Sequence, residues 1–358
     1  MTTDNSTIAT GGDAEAPAEE RVRNEGATGQ RRGPLLIALG AVFILFLVLG
    51  FANGSSTSTM LGLTVSGVLL GGIIALGSMG LTLIYGVLKF PNFAHGDLMT
   101  IGAFVALALI TVLPGHEALG PFSFGWGLLL SIILAVPVVA AVALIVDRIL
   151  FQPLRKRGAS LVLFAMASLA GMFFLRSVIY LIWGSDFHFY YPGRANPALY
   201  LPFGIRIQAD LIFTFALALL MVLLVWLLLE KSRMGKAMRA TANNPDLAQV
   251  RGINTERVIA WTWVIGGALA AAGGVMYGLA SQLRPEMGYF LLLPMFAGTI
   301  LGGIGSPIGA LVGALIIGMT QQLSASFLDP TYGPGVSFLL MILVLIIRPQ
   351  GIFTQGGD

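Results

Sequence analysis

Apolar runs of membrane-spanning length follow one another along almost the whole chain, and short polar stretches separate them. Residues 34–52 form the first run and residues 60–88 the second, which exceeds the roughly 20 residues that a bilayer requires. A third starts near Leu98 and ends near Leu113. A fourth covers 125–150, with Pro137 expected to kink it. Residues 159–183, 209–229 and 258–283 read as the fifth, sixth and seventh. Residues 291–327 are too long for one helix and break at Gly302-Gly303-Ile304-Gly305-Ser306-Pro307, so they read as two spans. A last span covers 335–347. The pattern therefore predicts an all-α polytopic membrane protein of about ten transmembrane helices, occupying 34–353. A polar tail, 1–33, is expected to be disordered, and residues 354–358 form a short tail at the other end.

Small residues punctuate these spans at helical spacing. Gly67, Gly71 and Ala75 lie four apart, as do Gly266, Ala270, Gly274 and Gly278, and Gly305, Gly309 and Gly313. Such faces let helix backbones approach closely inside a membrane.

The longest polar interruption, 230–256, reads EKSRMGKAMRATANNPDLAQVRGINTE. Ser232 is expected to cap a short helix through Met234, Ala237, Met238 and Thr241, ended by Asn243-Asn244-Pro245. Asp246 is expected to start a second, which Gly252 stops. Lys231, Arg233, Lys236, Arg239, Arg251 and Arg257 lie in it or at its edge, so the positive-inside rule places it in the cytoplasm. It reads either as a docking surface for a soluble partner or as a solvated loop that obeys the charge rule. With ten spans, the tail, Lys89, the 148–157 cluster and Arg348 share its side. The opposite face keeps Arg194, Arg206 and Arg284. Both termini are thus expected in the cytoplasm. A signal peptide is the alternative for the first run, but the tail ahead of it is long for an n-region.

Composition narrows the chemistry. The 358 residues are 56% hydrophobic and 10% charged, more apolar surface than a soluble domain can hide. The net charge of +3 follows from the loops and does not suggest nucleic acid. There is no cysteine, which removes disulfides and thiol chemistry, and His95, His116 and His188 have no metal-ligand spacing. No metal or cofactor is expected. Gly235-Lys236 lacks the glycine and the hydroxyl of a Walker A loop. The chain is therefore not expected to be an enzyme, and ATP hydrolysis would belong to separate subunits.

Two interruptions are candidates for a gate or solute contact. The segment Pro91-Asn92-Phe93-Ala94-His95-Gly96-Asp97 divides two spans, and non-helical backbone survives at membrane depth only beside a cavity or within protein. The other reading is a turn with Asp97 capping the next helix. The second candidate is the glycine break, with Ser306 as a cap or Gly305, Gly309 and Gly313 as a packing face. Candidate path residues are Tyr85, Asn92, His95, Asp97, Thr299 and Ser306, with Thr82 a further hydrogen-bonding side chain. Arg176, inside the fifth span, is expected to snorkel to the interface. The paucity of charge in the spans favours a neutral or zwitterionic solute.

Four motifs in order resemble one family. Asn92-Phe93-Ala94-His95-Gly96 after Gly80-Leu81-Thr82-Leu83-Ile84-Tyr85-Gly86 is similar to the start of LivH-type permeases. So are the 232–240 stretch followed by Gly252-Ile253-Asn254, the stretch Leu301-Gly302-Gly303-Ile304-Gly305-Ser306, and the ending Arg348-Pro349-Gln350-Gly351. These are membrane subunits of bacterial ABC importers for branched-chain amino acids, with relatives for urea and short amides. The resemblance implies a type II importer fold and an inner-membrane location. It also implies two ATP-binding subunits, a second and related permease chain, and a periplasmic substrate-binding protein. Residues 231–256 would be the coupling loop, with Met234, Gly235, Ala237, Met238, Ala240 and Gly252 meeting the ATPase. A stand-alone channel or secondary transporter, with a coupling-ion site at the broken helices, is the rival reading.

Overall fold

The computed structural model describes residues 32–353, except 195, 196, 202, 203 and 349. The tail expected over 1–33 falls outside the described residues apart from its last two, which open the first helix. The segment 354–358 and Pro349 also lie outside.

Helices account for about three-quarters of the described residues. In chain order they are α1 (Arg32–Ala52), α2 (Thr57–Leu88), α3 (His95–Val112), α4 (Trp126–Lys156) and α5 (Leu161–Trp183). The antiparallel strands β1 (Ala198–Leu201) and β2 (Ile205–Gln208) follow, then α6 (Ala209–Lys231), α7 (Arg233–Asn243) and α8 (Pro245–Val250). The remainder is α9 (Thr255–Ala280), α10 (Met287–Gly302), α11 (Pro307–Ser324) and α12 (Gly333–Ile347). Eight of the described helices are long and apolar enough to cross a membrane. α1 and α10 are shorter apolar helices, so the ten expected spans are all helices.

Three boundaries differ from the sequence reading. The third span begins at His95, not Leu98, so the candidate segment contributes its first helical turn. The connector expected at 152–158 is helical as far as Lys156, because a π-helical turn over Asp147–Phe151 carries the fourth span onward. The loop between α5 and α6 contains the β1–β2 hairpin, with Leu199 opposite Ile207.

α2, α3 and α9 form the centre, and α4, α5 and α6 leave most of their surface open to the surroundings. The small residues explain the centre. A Cβ on Gly67 would lie 2.6 Å from the Met319 backbone and one on Gly71 2.7 Å from that of Leu315, while Gly318 returns the contact against Gly71. α2 and α11 therefore meet backbone to backbone, as the spacing predicts. On α9, Gly274 lies against the Met99 carbonyl of α3, and Gly266 takes the Ile84 side chain of α2. Gly309 and Gly313 seat α11 on Gly302 and Gly298 of α10. Gly305 does not belong to that face. Its φ is +88° and nothing approaches its Cβ position, so it is required by the turn and not by packing.

Candidate functional site

The interruption after α2 turns back into the protein. Lys89 ends α2 in the left-handed region, φ 60°, and Phe90 is buried against Phe151 and Phe164. The Asn92 side-chain oxygen accepts from the Ala94 amide, and Ser168 of α5 accepts from the Phe93 amide at 3.3 Å. α3 then starts deep among its neighbours, its first residue, His95, packed on Gly80 of α2. Gly80 stands eight residues before the end of α2, about 12 Å along the helix at 1.5 Å per residue. The non-helical backbone is thus enclosed by protein, the condition that lipid imposes.

Asp97 is not the cap of α3. Ala94 occupies the cap position without a side-chain bond, and Asp97 lies in the first turn, fully buried. Both its oxygens accept from Arg176 of α5, from Nε and from an Nη, at 3.1 Å each. The guanidinium also lies 4.8 Å from the centroid of the Tyr289 ring on α10. Arg176 therefore does not snorkel. A partner within the protein removes the reason for a cation to seek the interface, and the planar fork gives a bidentate pair. Alongside it, Gly96 touches Gly288 of α10, and Thr100 accepts from the Gly288 amide at 3.0 Å. α3, α5 and α10 are joined at this level.

Several proposed path groups already have partners. The Thr82 hydroxyl accepts from the Gly305 amide at 2.8 Å, Thr299 donates to the Ser78 carbonyl at 3.1 Å, and Ser306 caps α11 by accepting from Gly309. These tie α2 to both sides of the glycine break. Tyr85 is half-buried near the end of α2. By contrast, Asn92 Nδ2 is buried without a hydrogen-bond partner among the described residues, and the fully buried His95 ring has only the Gly77 backbone of α2 beside it as a polar neighbour. An unpaired polar atom in apolar surroundings is costly, and no spacing in the sequence distinguishes Asn92 from Thr82 or Thr299.

α7 and α8 form as the sequence predicts, with one change of cap. Ser232 accepts from the Gly235 amide at 2.9 Å. Asn244, not Asp246, caps α8 by accepting from Leu247, because it ends α7 in extended conformation and so directs its side chain at the new helix. Gly252, at φ +81°, follows α8. Burial assigns the faces. Gly235 sits against the Leu228 and Leu229 backbone of α6, Met238 is buried, and Met234 and Ala237 pack on the same apolar cluster, with Ala240 half-buried. These residues, expected to meet a partner, face the chain itself. Arg233, Lys236, Leu247 and Val250 are exposed, Val250 at 84%. The sequence signal for them is the polar half of the same amphipathic pattern, read with two apolar residues on a very short helix. Beyond the loop, Arg155 of α4 bridges Asp147 at 2.6 Å and Glu256 of α9 at 3.2 Å, which anchors the start of α9.

Residues 63–345 match the family described as branched-chain amino acid transport system, permease component. The chain belongs to this family. Among curated proteins, it is 34% identical over 302 residues to the high-affinity branched-chain amino acid transport system permease protein LivH of Escherichia coli. That alignment covers 81% of this chain and 94% of the relative. Identity to BraD of Pseudomonas aeruginosa, also named a high-affinity branched-chain amino acid transport system permease protein, is 31% over the same shares. A probable LivH permease of Methanocaldococcus jannaschii is 32% identical, over 78% of this chain and 88% of its own. In this permease the matched residues hold the buried ion pair, the glycine break and both short helices. α1 precedes them.

Proposed function

We propose that this chain is the membrane-spanning subunit of an ATP-driven importer that moves branched-chain amino acids across the bacterial inner membrane. Two ATP-binding subunits, a related second permease chain and a periplasmic binding protein complete it, and both termini lie in the cytoplasm. Membership of the permease family, together with α7 and α8 standing between α6 and α9 with an exposed basic and apolar face, carries this reading. ATP hydrolysis takes place in the partners. They dock on Arg233, Lys236, Leu247 and Val250, while Met234, Gly235, Ala237 and Met238 seat the coupling helix on α6. Arg155 transmits the load through its bridge to Glu256.

The solute meets Asn92, whose side-chain nitrogen has no hydrogen-bond partner among the described residues, and His95, three residues on. Few ionisable groups lie among the described spans, and the buried pairs Asp97–Arg176 and Asp147–Arg155 are internally neutralised. A zwitterion with an apolar side chain makes the least demand on such a wall. Uptake by the assembled complex, measured over leucine, isoleucine, valine, urea, acetamide, lysine and glutamate, tests this. Leucine-like solutes are expected first, and preferred uptake of lysine or glutamate would overturn the assignment.

A further inference from the structure

A cavity of about 200 Å³ lies between the end of α2, the end of α6, α7 and the glycine break. It is smaller than the roughly 300–1,000 Å³ typical of drug-sized ligands, so only a small solute fits. Its walls carry an unusual set for this apolar chain. Leu83, Val87 and Trp226 supply apolar surface, and Thr82 and Ser306 supply hydroxyls. Glu230 and Arg239 add one carboxylate and one guanidinium. These two are 3.5 Å apart, half-exposed, with no hydrogen bond between them, and such a pair contributes little. Arg239 also donates to the Leu229 carbonyl at 2.5 Å, which holds the guanidinium at the cavity.

We infer that this cavity binds a small zwitterion with an aliphatic body, its carboxylate toward Arg239 and its ammonium toward Glu230. This rests on the transport reading above and names the released amino acid, on the cytoplasmic side, as the ligand. Occupancy has a mechanical consequence. α7 forms one wall and the break at Gly305 another, and Thr82 ties that break to α2. A molecule wedged between them opposes their relative movement, so accumulated product slows the importer.

The chain's lack of cysteine provides a direct test. In the complex of permease and ATPases, reconstituted in phosphatidylcholine nanodiscs without binding protein, Ala242→Cys on the cavity wall is labelled with a maleimide. Val87→Cys serves as an independent reporter should the first fold poorly. Leucine is expected to slow labelling several-fold. Leucinamide and 4-methylpentanoate, which each keep one of the two charges, should protect much less. Glu230→Gln and Arg239→Gln, both at exposed side chains, should remove protection while leaving the labelling rate without leucine unchanged. Labelling indifferent to leucine at both reporters, or equal protection by 4-methylpentanoate, would overturn the site. So would protection by added phosphatidylethanolamine with none by leucine, since the occupant would then be a lipid headgroup. Leucine uptake by a complex whose reporters are not protected would reject this cavity alone. Loss of leucine preference in uptake would reject the parent reading.

Discussion

The Asp97–Arg176 pair is a charge pair buried between α3 and α5. An unpaired charge at such a position costs several kcal/mol, whereas an apolar replacement of both partners is often neutral. Asp97→Ala or Arg176→Ala alone should therefore destabilise the folded chain by roughly 3–5 kcal/mol. The double substitution Asp97→Leu with Arg176→Met should recover most of that. Thermal unfolding of the detergent-solubilised permease, followed by size-exclusion profile, measures both. Equal loss in the single and double variants would show that the pair is not the stabilising unit. Gly274 makes a similar point for packing. With the Met99 carbonyl against it, any side chain must push α3 from α9. Gly274→Leu is expected to abolish folded protein, whereas Gly120→Ala, at an open position, costs only the strain of its positive φ of 60°.

Among the elements, α7 and α8 separate an inward apolar face from an exposed one, and the proposed function assigns seating to the first and docking to the second. Leu247→Glu with Val250→Glu adds charge to an exposed face that touches nothing within the chain's core, so expression and insertion should be unchanged. ATPase docking should be lost, seen as failure of the ATP-binding subunits to co-purify. Gly235→Trp should act differently, lowering the yield of folded permease, because the side chain would strike the backbone of α6. If Gly235→Trp folds normally and blocks only docking, the inward assignment of that face is wrong. The bridge from Arg155 to Asp147 and Glu256 fixes the other end of the loop. Glu256→Ala, which leaves the Arg155–Asp147 contact in place, should preserve assembly and reduce transport per ATP hydrolysed.

For the whole molecule, the ten helices and the distribution of cations predict one orientation. Cysteine at Gly158 or Asn243 should react with an impermeant maleimide only from the cytoplasm, and at Ser185 or Glu117 only from outside. External reaction at Asn243 would invert the arrangement and put the loop out of reach of the proposed ATPases.

What the sequence determined by itself follows from short-range physics. Hydrophobic run length set the number of spans, because lipid leaves backbone polar groups to be satisfied by the protein and a helix does so within one segment. Glycine spacing marked helix faces that pack closely, because small residues let backbones approach, as α2 and α11 show at Gly67 and Gly71. Local caps at Ser232 and Ser306 were legible because the acceptor and the amide it serves lie three residues apart. Tertiary structure decided what depends on residues far apart in the chain. Asp97 and Arg176 are 79 positions apart, so neither the failed cap nor the absence of snorkelling can be read locally. The inward turn of Gly235 and Met238 was settled by α6, which occupies the side that a partner was expected to fill. Gly305 looks like a packing glycine by spacing and is a turn glycine by conformation, because the chain reverses there and α11 begins only at Pro307.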